Sequence, residues 1–287
     1  MADHTTFRIG GPADLFARPV SRDEALELCR FCAAEGLPIF VLGGGANILV
    51  SDRGIRGMVI DTRHLDTVVR RGRTIEAMAG AAVSDVSAYA AEACLSGLEF
   101  IYAMPGSVGG SVWMNARCYS VSIAEAIDDV EYIDLRGSPE LRRDAVSPGA
   151  FSYKVSPFQA FPCLITAARF RLRPGSREES LRSMAEHRSD RELKGHFIYP
   201  SAGSAFKNDP AFGAPTGRIV DLLGLKGLRV GDAAVAEYHG NVVVNLGGAT
   251  ARDVRALLEQ VERRVLDAHG FRLEREVLLV GEWTDSE

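Results

Sequence analysis

The feature that most constrains this chain is the way its glycines cluster where apolar runs end. Ile39-Phe40-Val41-Leu42 has the composition of a buried strand and breaks at once into Gly43-Gly44-Gly45-Ala46-Asn47, followed by Ile48-Leu49-Val50. A second cluster, Pro105-Gly106-Ser107-Val108-Gly109-Gly110-Ser111, leads into Met114-Asn115-Ala116, and a third surrounds Pro200-Ser201-Ala202-Gly203-Ser204. Residues without a Cβ let backbone N–H groups approach an anion closely, so Gly43 to Asn47 could cradle a phosphate or pyrophosphate. Turns and tight packing account for most glycine triplets, and this one lacks both GxGxxG and the lysine of GxxxxGK[ST], which disfavours a Rossmann site and a P-loop. Two such loops in one half of the chain, each beside an amide side chain, suit a dinucleotide with a flat ring system.

Composition excludes several classes of partner. With 33 basic and 38 acidic residues the chain carries a net charge of −5, so no global basic field holds a phosphate backbone and no nucleic-acid partner is expected. Residues 37 to 50 are uncharged, but Pro38 and three glycines interrupt them. They also fall short of the ~20 apolar residues of a membrane span, so no membrane partner is expected. No charged-then-apolar leader precedes the first structured segment, and a cytoplasmic protein is expected, a monomer or weak oligomer. Five cysteines fit a reducing compartment. Cys29 and Cys32 form a CxxC, but no second pair or histidine cluster completes a metal site, so helix packing is expected and no metal.

The hydrophobic pattern reads as α+β in two domains. Asp23 to Glu35 has an amphipathic helical pattern ended by Gly36 and Pro38, and Gly57 to Asp61 reads as a short strand, giving a compact β-α-β-β unit over the first sixty or so residues. β-branched residues return from Thr67 to Ala79, a helix is expected over Ser84 to Ser96, and strands over Val130 to Leu135 and Leu164 to Leu172. Pro174-Gly175-Ser176 suggests a domain boundary, giving domains 1–175, with subdomains about 1–62 and 63–175, and 176–287. In the second, Glu178 to Leu193 is charged and helical, and Val242 to Asn245 is a buried strand. Thr250-Ala251-Arg252-Asp253 forms a capping box ahead of a helix whose face carries Val254, Leu257, Leu258, Val261 and Val265, up to Gly270. A closing strand is expected over Glu276 to Gly281. On pattern alone Glu276 belongs to a solvated strand face, and Ser204 is a hydroxyl in a loop with Lys207 and Asn208 and no GxSxG elbow.

Seven stretches in order resemble the UDP-N-acetylenolpyruvoylglucosamine reductase (MurB) family of flavoenzymes. They are His4 to Ala13, Val41 to Val50, Met104 to Gly110 with Met114-Asn115-Ala116, Phe151-Ser152-Tyr153-Lys154, Ala202 to Asn208, Gly224 to Gly227 with His239 to Asn245, and Leu273 to Val277. The resemblance implies an FAD-binding PCMH-type (vanillyl-alcohol-oxidase-like) domain followed by the family's C-terminal substrate domain. The short stretch from Lys154 to Ser204 resembles the type II form, which lacks an extra tyrosine-bearing loop. The implied reaction uses NADPH and non-covalent FAD to reduce the enolpyruvyl ether of UDP-N-acetylglucosamine to UDP-N-acetylmuramate for peptidoglycan.

The resemblance also assigns roles. Ser204 falls on the proton donor, Glu276 on the active-site acid, and Lys154 on the position of a catalytic arginine. Gly43, Gly44, Gly45, Ala46, Asn47, Ile48, Pro105, Gly106, Ser107, Gly109, Gly110, Asn115 and Ala116 would hold FAD, and Tyr153, Lys207 and Asn208 the substrate. Lys154 is the main departure, because lysine offers a compact point charge where arginine offers a rigid fork. Others are Ala46 in place of Ser, Arg117 and Ser120 in place of Gly, and Ala236 in place of Ser before Glu237. A divergent FAD-binding paralogue without the activity is the competing reading. Retention of Ser204, Lys207, Asn208 and Glu276 favours the enzyme, because a binding protein needs no proton donor. A flavin oxidase of the wider superfamily is disfavoured by the absence of a histidine in Gly43 to Asn47.

Overall fold

The computed structural model describes residues 1–284. The chain forms two compact units of mixed helix and strand, one from residues 15–44 and 57–190, the other from residues 1–14, 45–56 and 191 onward. The chain thus passes from one unit to the other between Gly44 and Gly45, inside the first glycine cluster.

The unit of residues 15–44 and 57–190 is built on a five-stranded sheet. Its order is Glu140–Ala145, Ile127–Asp134, Cys163–Arg171, Thr74–Met78 and Val68–Arg71, with every neighbour antiparallel. Helix α1 (Arg22–Glu35) starts where the Ser21 hydroxyl accepts the Glu24 N–H and stops at Gly36 in the left-handed conformation. Its buried residues Ala25, Cys29 and Cys32 pack on Met58, Ile60, Leu65, Ile133 and Leu164, the helix packing expected of the CxxC. Burial, with the neighbouring Cys32 adding to it, pushes the Cys29 thiol up to about 12, so it is an inert apolar group. Ile39–Leu42 pairs in parallel with Met58 to Asp61, and Gly57 sits where a Cβ would lie 2.4 Å from the Pro38 carbonyl oxygen.

Helix α2 (Val83–Glu92) is shorter than its apolar pattern suggests. Cys94 and Gly97 take left-handed φ values of 56° and 132°, which end the helix and turn Leu95–Ser96 into a strand paired with Arg173–Pro174. Helix α3 (Val108–Trp113) follows in this unit, and the Pro174-Gly175-Ser176 turn also lies inside it, since the unit continues through most of α4 (Arg177–Leu193).

In the other unit the sheet order is Ser201–Ser204, Val242–Asn245, Ala233–Val235 and Arg229–Val230. Helices α5 (Thr216–Leu222) and α6 (Ala251–His269) join it, and the predicted face of α6, Val254, Leu257, Leu258, Val261 and Val265, is buried. Ile48–Val50 does not pack with its neighbours in sequence; it pairs in parallel with Leu278–Val280, and Leu49 enters a core with Phe7, Ile9 and Val277. Two residues beyond Val50, Asp52 caps α6, its carboxylate accepting the N–H groups of Ala251 at 2.9 Å and Arg252 at 3.1 Å. Thr250 and Asp253 complete the capping box, and Gly270 closes the helix at φ 77°. No helix among the described residues is long and apolar enough to cross a membrane.

Replacing Thr250 with Ala frees the Asp253 N–H and should lower stability by about 1 kcal/mol, the usual worth of such a cap. Urea unfolding of the two proteins measures this directly.

Candidate active site

Ser204 ends a strand that carries a bulge. Ser201 stands opposite Val244 and Ser204 opposite Val242, so the first strand has one residue too many, and Gly203 absorbs it at φ 73°. The Ser204 side chain is half-buried, and its hydroxyl hydrogen-bonds to no described residue. The backbone just after it is held on both sides. On one, Asn241 accepts the Ala205 N–H through its carbonyl at 2.8 Å, while its side chain accepts from Phe206 N–H at 3.0 Å and donates to the Phe206 carbonyl at 2.7 Å. The Asn241 N–H in turn donates to His239 Nδ1 at 3.1 Å, which requires that nitrogen to carry no proton. Burial lowers the His239 pKa, and the charges of Lys194 and Lys226 add to it.

The other side of the segment carries the acid. Glu276 N–H donates to the Ala205 carbonyl at 2.8 Å, Lys207 N–H to the Glu274 carbonyl at 2.8 Å, and Phe206 bridges to Arg275. Glu276 is only 8% exposed, which overturns the solvated-strand reading. It precedes the strand, which runs only over Leu278–Val280. Asn47 Nδ2 donates to the Glu276 carbonyl at 3.0 Å and so ties the first glycine loop to this segment. Of the residues expected to bind substrate, Lys207 pairs with Glu274 at 2.5 Å, and Asn208 accepts the Thr216 N–H at the start of α5.

Lys154 belongs to the other unit, where a cavity of about 220 Å³ is lined by Asn115, Arg117, Glu125, Tyr153 and Lys154 among others. Asn115 and the Tyr153-Lys154 pair are thus brought together: Asn115 Nδ2 donates to the Ser152 carbonyl at 2.7 Å, and Ser122 Oγ donates to Asn115 Oδ1 at 2.5 Å. Tyr153 and Lys154 are the central residues of a tight turn closed by Ser152 N–H to Val155 carbonyl at 3.1 Å and the reverse at 3.0 Å. Lys154 sits at φ 59°, a conformation that favours glycine at this place in a turn.

The two glycine loops meet in the same unit. A Cβ on Gly44 would lie 2.7 Å from Gly106 Cα and one on Gly43 2.5 Å from Ser107 Oγ, and Gly44 N–H donates to Ser107 Oγ at 3.3 Å. In the other unit, the N–H groups of Gly45 and Ala46 donate to no described residue. Loops this bare, with unused donors, fit the diphosphate of a dinucleotide cofactor. Ala46 takes nothing from that fit, since the donor is its backbone.

These features define an FAD-binding protein, and residues 13–139 match the FAD binding domain family. Residues 195–280 match the C-terminal domain of UDP-N-acetylenolpyruvoylglucosamine reductase. The reductase of that name from Treponema denticola is 40% identical over 97% of this chain and 91% of its own length. The Borreliella burgdorferi one is 37% identical over 98% of this chain and 93% of its own. The crystal structure of MurB from Thermus caldophilus superposes with a TM-score of 0.80 at 37% identity, covering 97% of this chain and 96% of that one. The chain belongs to the UDP-N-acetylenolpyruvoylglucosamine reductase family.

Asn241, His239 and Asp52 were given no individual role by the sequence. The only local signal was a polar residue directly before the apolar strand Val242–Asn245. Asn241→Ala leaves the Phe206 N–H and carbonyl without partners in a buried setting, which should cost about 2–4 kcal/mol. The shift in urea midpoint checks this.

Proposed function

We propose that this chain reduces the enolpyruvyl ether of UDP-N-acetylglucosamine to UDP-N-acetylmuramate, with NADPH as electron source, in peptidoglycan synthesis. The observation that carries this reading is membership of the reductase family across nearly the whole chain, together with an unpaired Ser204 hydroxyl on a segment bonded to buried Glu276. When bound, FAD would supply hydride chemistry, carrying reducing equivalents from NADPH to C3 of the enolpyruvyl group. The electron pair of the C=C bond then moves toward the carboxylate as an enolate, and C2 takes a proton.

Each candidate residue meets one requirement of that sequence. The Gly45 and Ala46 N–H groups hold the cofactor diphosphate. Ser204 Oγ delivers the proton to C2, since a hydroxyl with no other partner is available as a general acid. Glu276 acts as the second acidic group, its backbone fixed to Ala205, the residue after Ser204. Lys154 stabilises the enolate with its ammonium group. Tyr153, Lys207 and Asn208 contact the substrate. A flavoprotein of this family without the activity has no use for the Ser204 hydroxyl.

Ser204→Ala separates the half-reactions. Reduction of the flavin by NADPH should stay near the wild-type rate, while reoxidation by the enolpyruvyl sugar slows about 10²-fold or more, the range for a lost general acid. Stopped-flow absorbance reads both steps, and an equal fall in both would show that Ser204 serves the structure and not the proton transfer. Lys154→Gly makes a different separation. Relief of the left-handed strain should raise stability by about 1 kcal/mol, while reoxidation slows by about 10²- to 10³-fold. A gain in thermal midpoint with full activity would remove Lys154 from the chemistry.

A further inference from the structure

The cavity beside Lys154 contains a second cation. Arg117 lines it and is exposed, and its side chain forms no hydrogen bond or ion pair with any described residue. The other polar groups there are committed. Asn115 bonds to Ser152 and Ser122, and Glu125 accepts the Ser122 N–H at 2.8 Å. The Lys154 ammonium lies 5.9 Å from the centre of the Tyr153 ring. Two cations and one engaged carboxylate leave the cavity with an excess of positive charge, and the guanidinium is the group with all of its donors unused.

The backbone on both sides of the cavity is held out of its preferred conformation. Arg117-Cys118 pairs with Val121-Ser122, and the two residues of the connecting turn, Tyr119 and Ser120, have φ values of 49° and 67°. Such a turn is normally made by Asn-Gly or Gly-Gly. With Asn115 at 44° and Lys154 at 59°, four non-glycine left-handed residues belong to the two segments that present Arg117 and Lys154. Strain concentrated in this way marks positions fixed for function.

We propose that Arg117 grips the carboxylate of the enolpyruvyl group in this cavity, as a bidentate partner to the Lys154 ammonium. The assignment rests on the reductase reading above and deepens it. The ligand class follows from shape and charge. At about 220 Å³ the cavity is smaller than the ~300–1,000 Å³ of sites that enclose a whole drug-sized ligand, so it admits one arm of a larger molecule. A planar fork with unused donors matches a carboxylate in two parallel hydrogen bonds, which a lysine cannot form. Arg117 therefore supplies the fixed orientation and Lys154 the point charge, and the pair divides a task that one arginine could perform.

The test uses the full chain loaded with FAD. Arg117→Ala, Arg117→Lys, Lys154→Ala and the double alanine variant are compared for FAD content, flavin reduction by NADPH, reoxidation by the enolpyruvyl sugar, and binding of UDP-N-acetylmuramate and UDP-N-acetylglucosamine by calorimetry. Arg117→Ala should keep FAD content and NADPH reduction, slow reoxidation, and weaken UDP-N-acetylmuramate about 10- to 100-fold, the range for a lost charged hydrogen-bond partner. UDP-N-acetylglucosamine, which has no carboxylate, should bind equally well to wild type and variant. Arg117→Lys should recover only part of the loss, and the double variant should lose less than the product of the single effects, because both cations act on one group. Unchanged reoxidation and product binding in Arg117→Ala, with an active wild type, overturns the assignment alone. Loss of FAD would overturn it by placing the fork on the cofactor, and fully multiplicative effects would overturn it by separating the two cations. A wild type that neither binds the product nor passes electrons to the enolpyruvyl sugar overturns the reductase reading, and this assignment with it.

Discussion

Two consecutive glycines carry the constraint on which the arrangement of the chain depends. At Gly44 a Cβ would press on Gly106 Cα, and at Gly45 it would lie 2.2 Å from the carbonyl oxygen of His4. Each contact belongs to a different unit, and the peptide between them is where the chain crosses. Gly45 also accepts the Thr6 N–H at 3.1 Å and takes φ 63°, so neither its position nor its conformation can be given up. With the carbonyl side of the loop engaged in this way, the N–H groups of Gly45 and Ala46 are left for another acceptor. The same packing that holds each glycine in its own unit thus leaves these N–H groups unengaged.

The Ser204 segment depends on backbone bonds in a similar way. The Ser204 hydroxyl has no side-chain partner among the described residues to hold it in place. Its position is set instead by Asn241 on one side and Glu276 on the other, each bonded to the main chain of Ala205 or Phe206. Asn241 matches both polar groups of Phe206, a reciprocal pairing that an aspartate could only half supply, since a carboxylate has no donor. Neutral His239 accepts the Asn241 N–H and completes a chain of fixed groups leading back from the Ser204 segment.

What could be read in advance was whatever depends on near neighbours in the chain. Helix α6 was legible from Thr250 to Gly270 because its cap, its apolar face and its terminating glycine are all local. The glycine loops were legible as places of close approach, and the run of motifs led to the right family. The burial of Glu276 was not, because it depends on Ala205, some seventy residues earlier, and an acid between Arg275 and an apolar strand looks the same whether or not something covers it. Ile48–Val50 looked like part of a local βαββ unit for the same reason. Its true partner, Leu278–Val280, lies near the other end of the chain. Arg117 was visible only as a departure from glycine; its neighbourhood with Lys154 is created by the Asn115 to Ser152 bond, which no spacing rule encodes.

Arg117 and Lys154 also show why departures from a family pattern have to be considered together. Taken singly, Arg117 puts a long cation where a small residue is usual, and Lys154 weakens a grip on carboxylate. In one cavity the two changes would offset each other under the proposed assignment, since the fork missing at 154 would be available from 117. The left-handed conformation of Lys154 costs about 1–2 kcal/mol over a glycine, and a side chain held there without a role would be expected to give way to one. Ser120, where glycine would also relieve a left-handed φ, stands in the turn that carries Arg117. The cost is therefore spread over both cation-bearing turns. This ties the two departures to one task more firmly than either substitution does alone.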